Sequence, residues 1–524
     1  MLRKAGSEAI GRLTSLAGTN FFASTIKTLV NEVVNNRNPA ARAGCALAFG
    51  SVYQHVGGLA AGPLLKTTVH ILMSLINDPH PVVSFWAARA LSRVIDAASL
   101  AYASFVPSTL GLLFRVYMLE SHEPEGGLLN YVNSKGELPL YQALCQAMDA
   151  VITVVGPDIQ ESTRTRSLVL DLVHQFLAEE DDGICVEAIK GVQHLLIFAP
   201  DHIDVPKLVD RFRGYLSSTK RPLKLASINA LYQLVQKDVM TLSRLGGDQL
   251  VEELFAMLDD DASVVGVRNV IISWLQQTVA YNPSAWIDLC QRIMSRTTAS
   301  QQAGDAAAKR GDLDDEGQSL STDPTADGDG VDDLRSTARW RTQLFALQCL
   351  HEICVTVARS GRREHLDIAF ARAQGIPLPR LLVSRIADLI RIAFTASAAH
   401  VMEIRLEGLT VLQDVIEVCY TNLRSLHLVL SVIQIFARSP DPDFEGALLL
   451  EQYQAPITAA LTPAFSADST PEILASAIKA CAIFVGSGVV KDVGRMGRIL
   501  KLLTSALEQC QGTCDFSGST GCPC

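Results

Sequence analysis

Two stretches of this chain share one pattern: NPAARAGCALA at residues 38–48 and DPHPVVSFWAARAL at residues 78–91. In each, a turn of Asn, Asp and Pro precedes an Ala-rich run that carries Arg, which is typical of a helix start and its helix. Related turns recur at residues 182–188, 221–226, 261–268 and 469–475. Aligning Cys45 with Ala87 gives a period of 42 residues, within the range of about 40 to 47 for HEAT and armadillo repeats. The pattern therefore predicts an all-α fold, an α-solenoid of HEAT-like or armadillo-like helical hairpins.

The composition favours a stack of helices over one globular core. Of the 524 residues, 48% are hydrophobic and 19% are charged, whereas a single core rarely grows beyond roughly 250 to 300 residues. Apolar residues recur three or four positions apart, as in Leu110, Leu113, Phe114 and Tyr117, which is the period of one helix face. Alternation typical of strands is nearly absent, so the chain is predicted to be all-α.

Changes in composition divide the chain into two predicted helical blocks. Residues 1–296 form the first block, with an exposed loop at about 120–139 that is rich in Gly, Pro and Asn. Residues 297–337 have too few apolar side chains to offset the entropy of ordering, so they are predicted to be a disordered acidic insert. The second block covers residues 338–511. Residues 512–524 are predicted to be a disordered tail rich in Cys, Gly and Ser.

The formal net charge of −10 is concentrated in the predicted insert. Between Asp305 and Asp333 there are ten acidic and two basic residues, a net charge of −8, so the rest of the chain carries only −2. A nucleic-acid-binding protein is expected to present a basic face to phosphates, and no nucleic-acid partner is therefore predicted. Two basic clusters are interpreted as solvated helix ends rather than phosphate or lipid sites: Lys220, Arg221 and Lys224, and Arg359, Arg362 and Arg363.

No catalytic, cofactor-binding or metal site is predicted. His351-Glu352 begins like a zinc-protease helix, but Val355 replaces the second His. The Asp-rich run at residues 323–334 resembles a calcium loop, but its twelfth position is Leu334 rather than Glu. The four C-terminal cysteines match no standard zinc spacing. Eight single cysteines in apolar helical contexts are interpreted as core residues: Cys45, Cys145, Cys185, Cys290, Cys349, Cys354, Cys419 and Cys481.

One polar pattern is typical of HEAT repeats. An Asp or Asn in the turn, with Arg or Lys six residues later, allows charged hydrogen bonds to join neighbouring repeats. Asn36 with Arg42 fits this pattern, and Ser218 with Lys224 keeps the spacing with a weaker acceptor. The alternative is that these are ordinary surface residues.

The longest uncharged stretch, Ala97 to Phe114, approaches the length of a membrane span. Its Ser and Thr residues and Pro107 instead predict a helix end, a turn and the next helix start. Residues 1–20 show no signal-peptide pattern. The chain is therefore predicted to be soluble and cytosolic.

Three segments resemble one known family: residues 34–50, with VNNRNP followed by RAGCALAFG, the HVGG turn at 55–58, and FVPSTLGL at 105–112. They are similar to the HEAT-repeat-containing protein 5 family, whose fungal members are the large accessory proteins of the type-1 clathrin adaptor complex. The resemblance covers roughly residues 24–200, and generic helical repeats carry it beyond. Family members are much longer, which implies that this chain is a fragment.

The resemblance implies a non-enzymatic scaffold that helps place clathrin adaptors on trans-Golgi and endosomal membranes and supports protein sorting between them. The expected partners are the type-1 clathrin adaptor complex and its accessory subunits. A cytoplasmic protein is expected, peripheral on those membranes through its partners, with no cofactor and with a partner-binding surface that the resemblance does not define. Two alternatives stay open, a nuclear transport receptor of the importin-β kind and an enzyme with a divergent site.

Overall fold

The structure, a computed structural model, describes most but not all of the chain. The described residues are 2–121, 139–260, 265–295, 329–424, 427–433, 436, 441, 446–466 and 469–514. Nearly all of the loop predicted at 120–139, and most of the insert predicted at 297–337 and of the tail predicted at 512–524, lie outside these residues. The predicted extents of the two helical blocks, the insert and the tail therefore stay predictions.

The contacts within the chain define two compact units, Met1–Lys237 and Asp238–Cys524. At their boundary, Asp238 leaves the helical conformation, with φ −151° and ψ 77°. Unit 1 contains α1 (Leu2–Ala17), α2 (Thr19–Asn35), α3 (Pro39–Val56), α4 (Gly58–Ile76), α5 (Pro81–Ala98), α6 (Val106–Ser121), α7 (Leu140–Val155), α8 (Thr163–Ala178), α9 (Asp182–Phe198), α10 (Val205–Leu216) and most of α11 (Arg221–Arg244).

The helices of unit 1 form two rows. In the first row, α1, α3, α5, α7 and α9 each contact the next member. In the second row, α2 contacts α4, and α6 contacts α8. Small residues fill this row: Gly50 of α3 lies against Ala90 of α5, and Ala46, Ala87 and Ala90 are completely buried. The Ala-rich runs of the repeat are thus the surfaces on which consecutive helices approach each other.

The turns that mark the repeats act as helix N-caps. The Asn38 side chain accepts a hydrogen bond from the Ala40 N–H, with Pro39 at the first helical position. Asp181 and Thr470 cap α9 and the helix that begins at Pro471 in the same way. Such a cap satisfies a backbone donor that the helix leaves free, and Pro has no N–H to satisfy. The turn residues therefore fix where each helix begins.

Unit 2 continues with α12 (Gly247–Asp260), α13 (Val265–Thr278), α14 (283–295), α15 (Asp329–Ser360), α16 (Ile368–Ala373), α17 (Ile386–Ser397), α18 (Met402–Ile416), α19 (Gln454–Leu461), α20 (Pro471–Gly486) and α21 (Val493–Cys514). It also has two rows. The helices α13, α15, α18 and α20 contact one another in order, and α17 contacts α19 in the second row.

Short 3-10 turns connect many of the helices in both units. They are Ser99–Phe105, Gly156–Ile159, Pro200–His202, Arg363–His365, Leu378–Arg380, Leu382–Arg385, Leu449–Tyr453 and Thr462–Phe465. The predicted class, an all-α solenoid of helical hairpins, is confirmed.

A β-hairpin in unit 2 is a local departure from the all-helical pattern. Strands β1 (Val418–Arg424) and β2 (His427–Ile433) pair antiparallel, with Val418 opposite Ile433. The backbone turns extended at Glu417 (φ −150°, ψ 125°) directly after α18, and the following residues are rich in β-branched and aromatic types that fit a strand. The prediction that Cys419 lies in a helix is therefore wrong.

One helical stretch, Pro81–Met118, has the length and mean hydropathy (1.4) of a membrane span. It consists of α5, the 3-10 turn Ser99–Phe105 and α6, and the backbone of Ser99 has a positive φ of 48°. The predicted helix end, turn and helix start are thus confirmed. Within it, α5 lies between α3 and α7 of the first row, and Leu91 and Val94 are fully buried.

Replacing Gly11 with Ala is expected to weaken the packing of α1 on α3. A Cβ atom at Gly11 would lie 2.6 Å from the Ser51 carbonyl oxygen, so α1 must move away, at a cost of about 1–3 kcal/mol. Hydrogen exchange measures this as faster exchange in α1. Gly6→Ala on the same helix is the control, because no atom lies within 4 Å of its new methyl group. Equal protection in the two variants would contradict this packing.

Candidate functional site

Polar side chains in unit 1 join α1 to α3, α3 to α5, α7 to α9, and α9 to α11. Each bond joins residues 33 to 47 positions apart, about one repeat length. The bonds are His55 Nε2 with Glu8 Oε1 (3.0 Å), Arg93 Nη1 to Ser51 Oγ (3.3 Å), Gln146 Nε2 to Glu187 Oε1 (3.2 Å), His194 Nδ1 with Asp149 Oδ1 (2.7 Å) and Gln193 Nε2 to the Ala226 carbonyl (3.2 Å). We call these bonds, with their counterparts in unit 2, the cross-repeat ladder.

The counterparts in unit 2 join α13 to α15, α15 to α18, and α18 to α20. They are Gln276 Nε2 to Glu352 Oε2 (3.3 Å), His351 Nδ1 with Asp414 Oδ2 (2.5 Å) and Gln413 Nε2 to the Ser476 carbonyl (3.2 Å). The ladder therefore links first-row helices in both units. Because each of these bonds joins two neighbouring helices, the ladder fixes the register of one helix on the next.

A charged pair at the turns of unit 1 differs from the one that the sequence pattern predicts. Arg42 does not bond Asn36 but pairs with Asp78 of the next repeat, with 2.5 Å between Nη1 and Oδ2. The Asn36 side chain instead accepts from the Asn38 N–H. The Asp78 side chain is only 4% exposed, and it also accepts from the His80 N–H at 2.9 Å. The predicted link between repeats exists, but with another acceptor.

The second polar pair of the pattern is not formed either. Ser218 Oγ accepts from the Lys220 N–H at 3.1 Å, and the Lys224 N–H donates to the Lys220 carbonyl. Lys220 Nζ lies 3.5 Å from Asp182 Oδ2, an exposed pair between two turns one repeat apart. Here too the charged contact runs between repeats and not within one turn.

Two His–Asp pairs of the ladder have perturbed titration. The hydrogen bond to Asp149 raises the pKa of His194, and the bond to Asp414 raises the pKa of His351. Burial raises the pKa of Asp414, whose side chain is 7% exposed. Each histidine is thus held nearer its protonated form than a free imidazole.

Two grooves lie between neighbouring helices, one in each unit. The unit 1 groove, about 340 Å³, is formed by α8, α9 and α10. Its buried floor is aliphatic: Val173, Leu177, Val192, Leu195 and Leu208. The unit 2 groove, about 330 Å³, lies between α17 and α19 and is lined by Ala387, Ile390, Arg391, Phe394, Tyr453, Pro456 and Ala459. Phe394 is 43% exposed. Such open apolar surface suits a protein or peptide segment.

The thiols of the described residues are mostly buried and unreactive. Cys145, Cys185, Cys290, Cys349, Cys354 and Cys481 are buried, as predicted, and Cys45 is half-buried. Burial raises the pKa of Cys145, Cys349 and Cys354 well above the usual range and that of Cys481 to about 12. Because the thiolate is the nucleophile, these positions suit packing and not catalysis.

Ionisable side chains also line the unit 1 groove: His174, Asp204, Lys207, Asp210 and Arg211. Among the described residues, no cluster of three or more His, Cys, Asp or Glu has a geometry that could hold a metal ion. His351, which begins the failed zinc-protease motif, bonds Asp414. The calcium-like run at 323–334 lies largely outside the described residues. What the arrangement offers is a row of bonded polar groups and two apolar grooves.

The chain is similar to one family model and to two curated relatives. The model of the Laa1/Sip1/HEATR5 HEAT repeat region matches residues 381–422 and 420–520. Over these residues the chain is similar to this family. The match lies outside residues 24–200, whose motifs first suggested the HEAT-repeat-containing protein 5 family, but two curated relatives align over 97% of the chain.

These relatives come from a plant and a yeast. The chain is 26% identical over 520 residues to Protein SWEETIE of Arabidopsis thaliana and 20% identical over 560 residues to AP-1 accessory protein LAA1 of Saccharomyces cerevisiae. It spans only 22% and 26% of their lengths. Among solved structures, importin beta is similar with a TM-score of 0.48 and 12% identity, over 93% of this chain and 53% of that one.

Asp78→Ala is expected to lower the free energy of unfolding of unit 1 by about 1–3 kcal/mol, because the half-buried Arg42 loses its acceptor. Chemical denaturation measures the change. In an Arg42→Met background the same substitution is expected to cost less, and the difference is the coupling of the pair. Lys207→Ala, which removes an exposed pair with Asp204, is the control and is expected to have no measurable effect. Equal costs in the two backgrounds would show that Asp78 acts only as a cap.

Proposed function

We propose that this chain is a non-enzymatic scaffold that supports clathrin-adaptor-dependent traffic between the trans-Golgi network and endosomes. The observation that carries this proposal is the family relation, which includes a yeast AP-1 accessory protein aligned over 97% of the chain. The two-row helical stack supports it, since stacked hairpins supply long binding surfaces. The partners in this proposal are the type-1 clathrin adaptor complex and its accessory subunits.

In this proposal the protein works in the cytoplasm and reaches trans-Golgi and endosomal membranes through its partners. The rival reading, a nuclear transport receptor of the importin-β kind, has weaker support. The sequence identity to importin beta is only 12%, whereas the yeast relative aligned over 97% of the chain is an AP-1 accessory protein.

A divergent enzyme is also the weaker reading. Catalysis requires groups that converge on a site where charge develops, whereas the two histidines with a raised pKa, His194 and His351, each bond one aspartate of the ladder. The two grooves lie elsewhere, between neighbouring helices of each unit. We therefore place partner binding at the grooves and assign no catalytic residue.

The unit 2 groove is the part of this surface that can be tested most directly. Ala459 lines the groove and is exposed. In Ala459→Trp, the indole is expected to fill the groove and to lower co-purification of the type-1 adaptor with the full-length protein about tenfold, the effect of about 1.4 kcal/mol of lost binding. Quantitative mass spectrometry of the purified complexes measures the recovery.

Ala455→Trp is the matched control, because Ala455 lies on the same helix and is exposed but does not line the groove. An unchanged melting temperature shows that both variants fold. Normal adaptor recovery with Ala459→Trp would remove the groove from the proposal. Proximity labelling of the unsubstituted full-length protein tests the function itself, and neighbours from the nuclear pore without Golgi or endosomal coat proteins would overturn it.

A further inference from the structure

Both units contain the same arrangement of ionisable groups on their first row. A histidine of one first-row helix bonds an aspartate of the adjacent first-row helix, and a second carboxyl group lies close enough to act on the pair. The residues differ in sequence position and in chain order, since the histidine follows its aspartate in unit 1 and precedes it in unit 2. The two arrangements are therefore similar in structure and not in sequence order.

In unit 1 the arrangement spans three consecutive first-row helices. His194 on α9 bonds Asp149 on α7 at 2.7 Å, with side chains 36% and 21% exposed. Asp96 on α5 acts on both of them. Desolvation and the like charge of Asp149 raise the pKa of Asp96, and His194 lowers it. The imidazole ring also stacks on Phe198, with 6.4 Å between ring centroids.

In unit 2 the same elements meet at α15 and α18. His351 on α15 bonds Asp414 on α18 at 2.5 Å. Glu407 on α18 and Glu352 on α15 also act on His351, and Lys479 on α20 acts on Asp414. Burial raises the pKa of Glu407. More carboxyl groups than cations thus surround this imidazole, which favours its protonated form.

We propose that each His–Asp pair is a proton-dependent clamp between two first-row helices, which holds them together when the histidine is protonated and loosens when the proton leaves. A protonated imidazole makes a charge-assisted bond across the interface, whereas a neutral one makes an ordinary hydrogen bond of roughly half the strength. Each clamp lies between two first-row helices, and contacts between these helices hold the repeats of each unit together.

The direction of the pH effect follows from the raised pKa of both histidines. Stability that comes from a raised histidine pKa is fully present below the unfolded value of about 6.5 and is lost as the pH rises through the folded value. The raised carboxyl pKa values of Asp96, Glu407 and Asp414 act in the same sense at lower pH, because ionising these groups costs more in the folded state. Both units are thus expected to loosen towards alkaline pH.

The test compares hydrogen exchange in the full-length protein and in His194→Gln between about pH 5.5 and about pH 8.5, the range in which histidine changes charge. Comparing variants at each pH cancels the intrinsic pH dependence of exchange. In peptides from α7 and α9, the variant is expected to exchange about fivefold faster at the acidic end and equally fast at the alkaline end. His351→Gln is expected to do the same in α15 and α18.

His400→Gln is the matched control, because His400 is exposed and lies outside the ladder. Asp149→Asn, which keeps an acceptor but removes the charge, is expected to abolish the pH dependence as His194→Gln does. A ratio that does not change with pH would show a neutral hydrogen bond and overturn the clamp. If the variants do not fold, exchange at the imidazole C2 position of the unsubstituted protein decides: titration of His194 and His351 at or below about pH 6.5 would also overturn it.

Discussion

Close approach of consecutive first-row helices is the constraint on which the rest of each unit depends. A Cβ atom on Gly50 of α3 would lie 3.0 Å from the Ala90 Cα of α5, and one on Gly11 of α1 would lie 2.6 Å from the Ser51 carbonyl oxygen of α3. Only small residues permit this distance. A single hairpin cannot bury such a face alone, so each repeat is stable only on its neighbour. This close packing explains why the repeats are rich in Ala.

The apolar contacts between these helices do not by themselves fix one register, because one Ala-rich surface can shift along another. The cross-repeat ladder supplies the missing specificity. A buried polar bond is costly to leave unmade, so a shift of one turn at α7 and α9 would separate Gln146 from Glu187 and His194 from Asp149. Hydrophobic burial thus provides the stability of the stack, and directional bonds provide its alignment.

Features that depend on residues within one helical turn can be predicted from the sequence. The starts of α3 and α5 follow from Asn38-Pro39 and Pro81, because an N-cap or a Pro at the first helical position acts within one turn. The partner of Arg42 could not be found in this way, since a six-residue rule looks within one turn while the guanidinium reaches Asp78 in the next repeat. Polar residues recurring one repeat apart, as at Asp149 and His194, were the available signal. β1 and β2 were missed because the surrounding helical period hid a short stretch of strand-forming residues.

The ladder and the grooves are separate surfaces, yet single helices contribute to both. On α9, His194 belongs to a clamp, while Val192 and Leu195 form part of the floor of the unit 1 groove. If a partner side chain fills this groove, as we propose, its contacts with Val192 and Leu195 would favour the position of α9 in which His194 bonds Asp149. Thermodynamic linkage is reciprocal. If the groove binds its partner better when His194 is bonded to Asp149, binding of the partner must also raise the proton affinity of His194. Partner binding and protonation of His194 would then both depend on the same contact between α7 and α9.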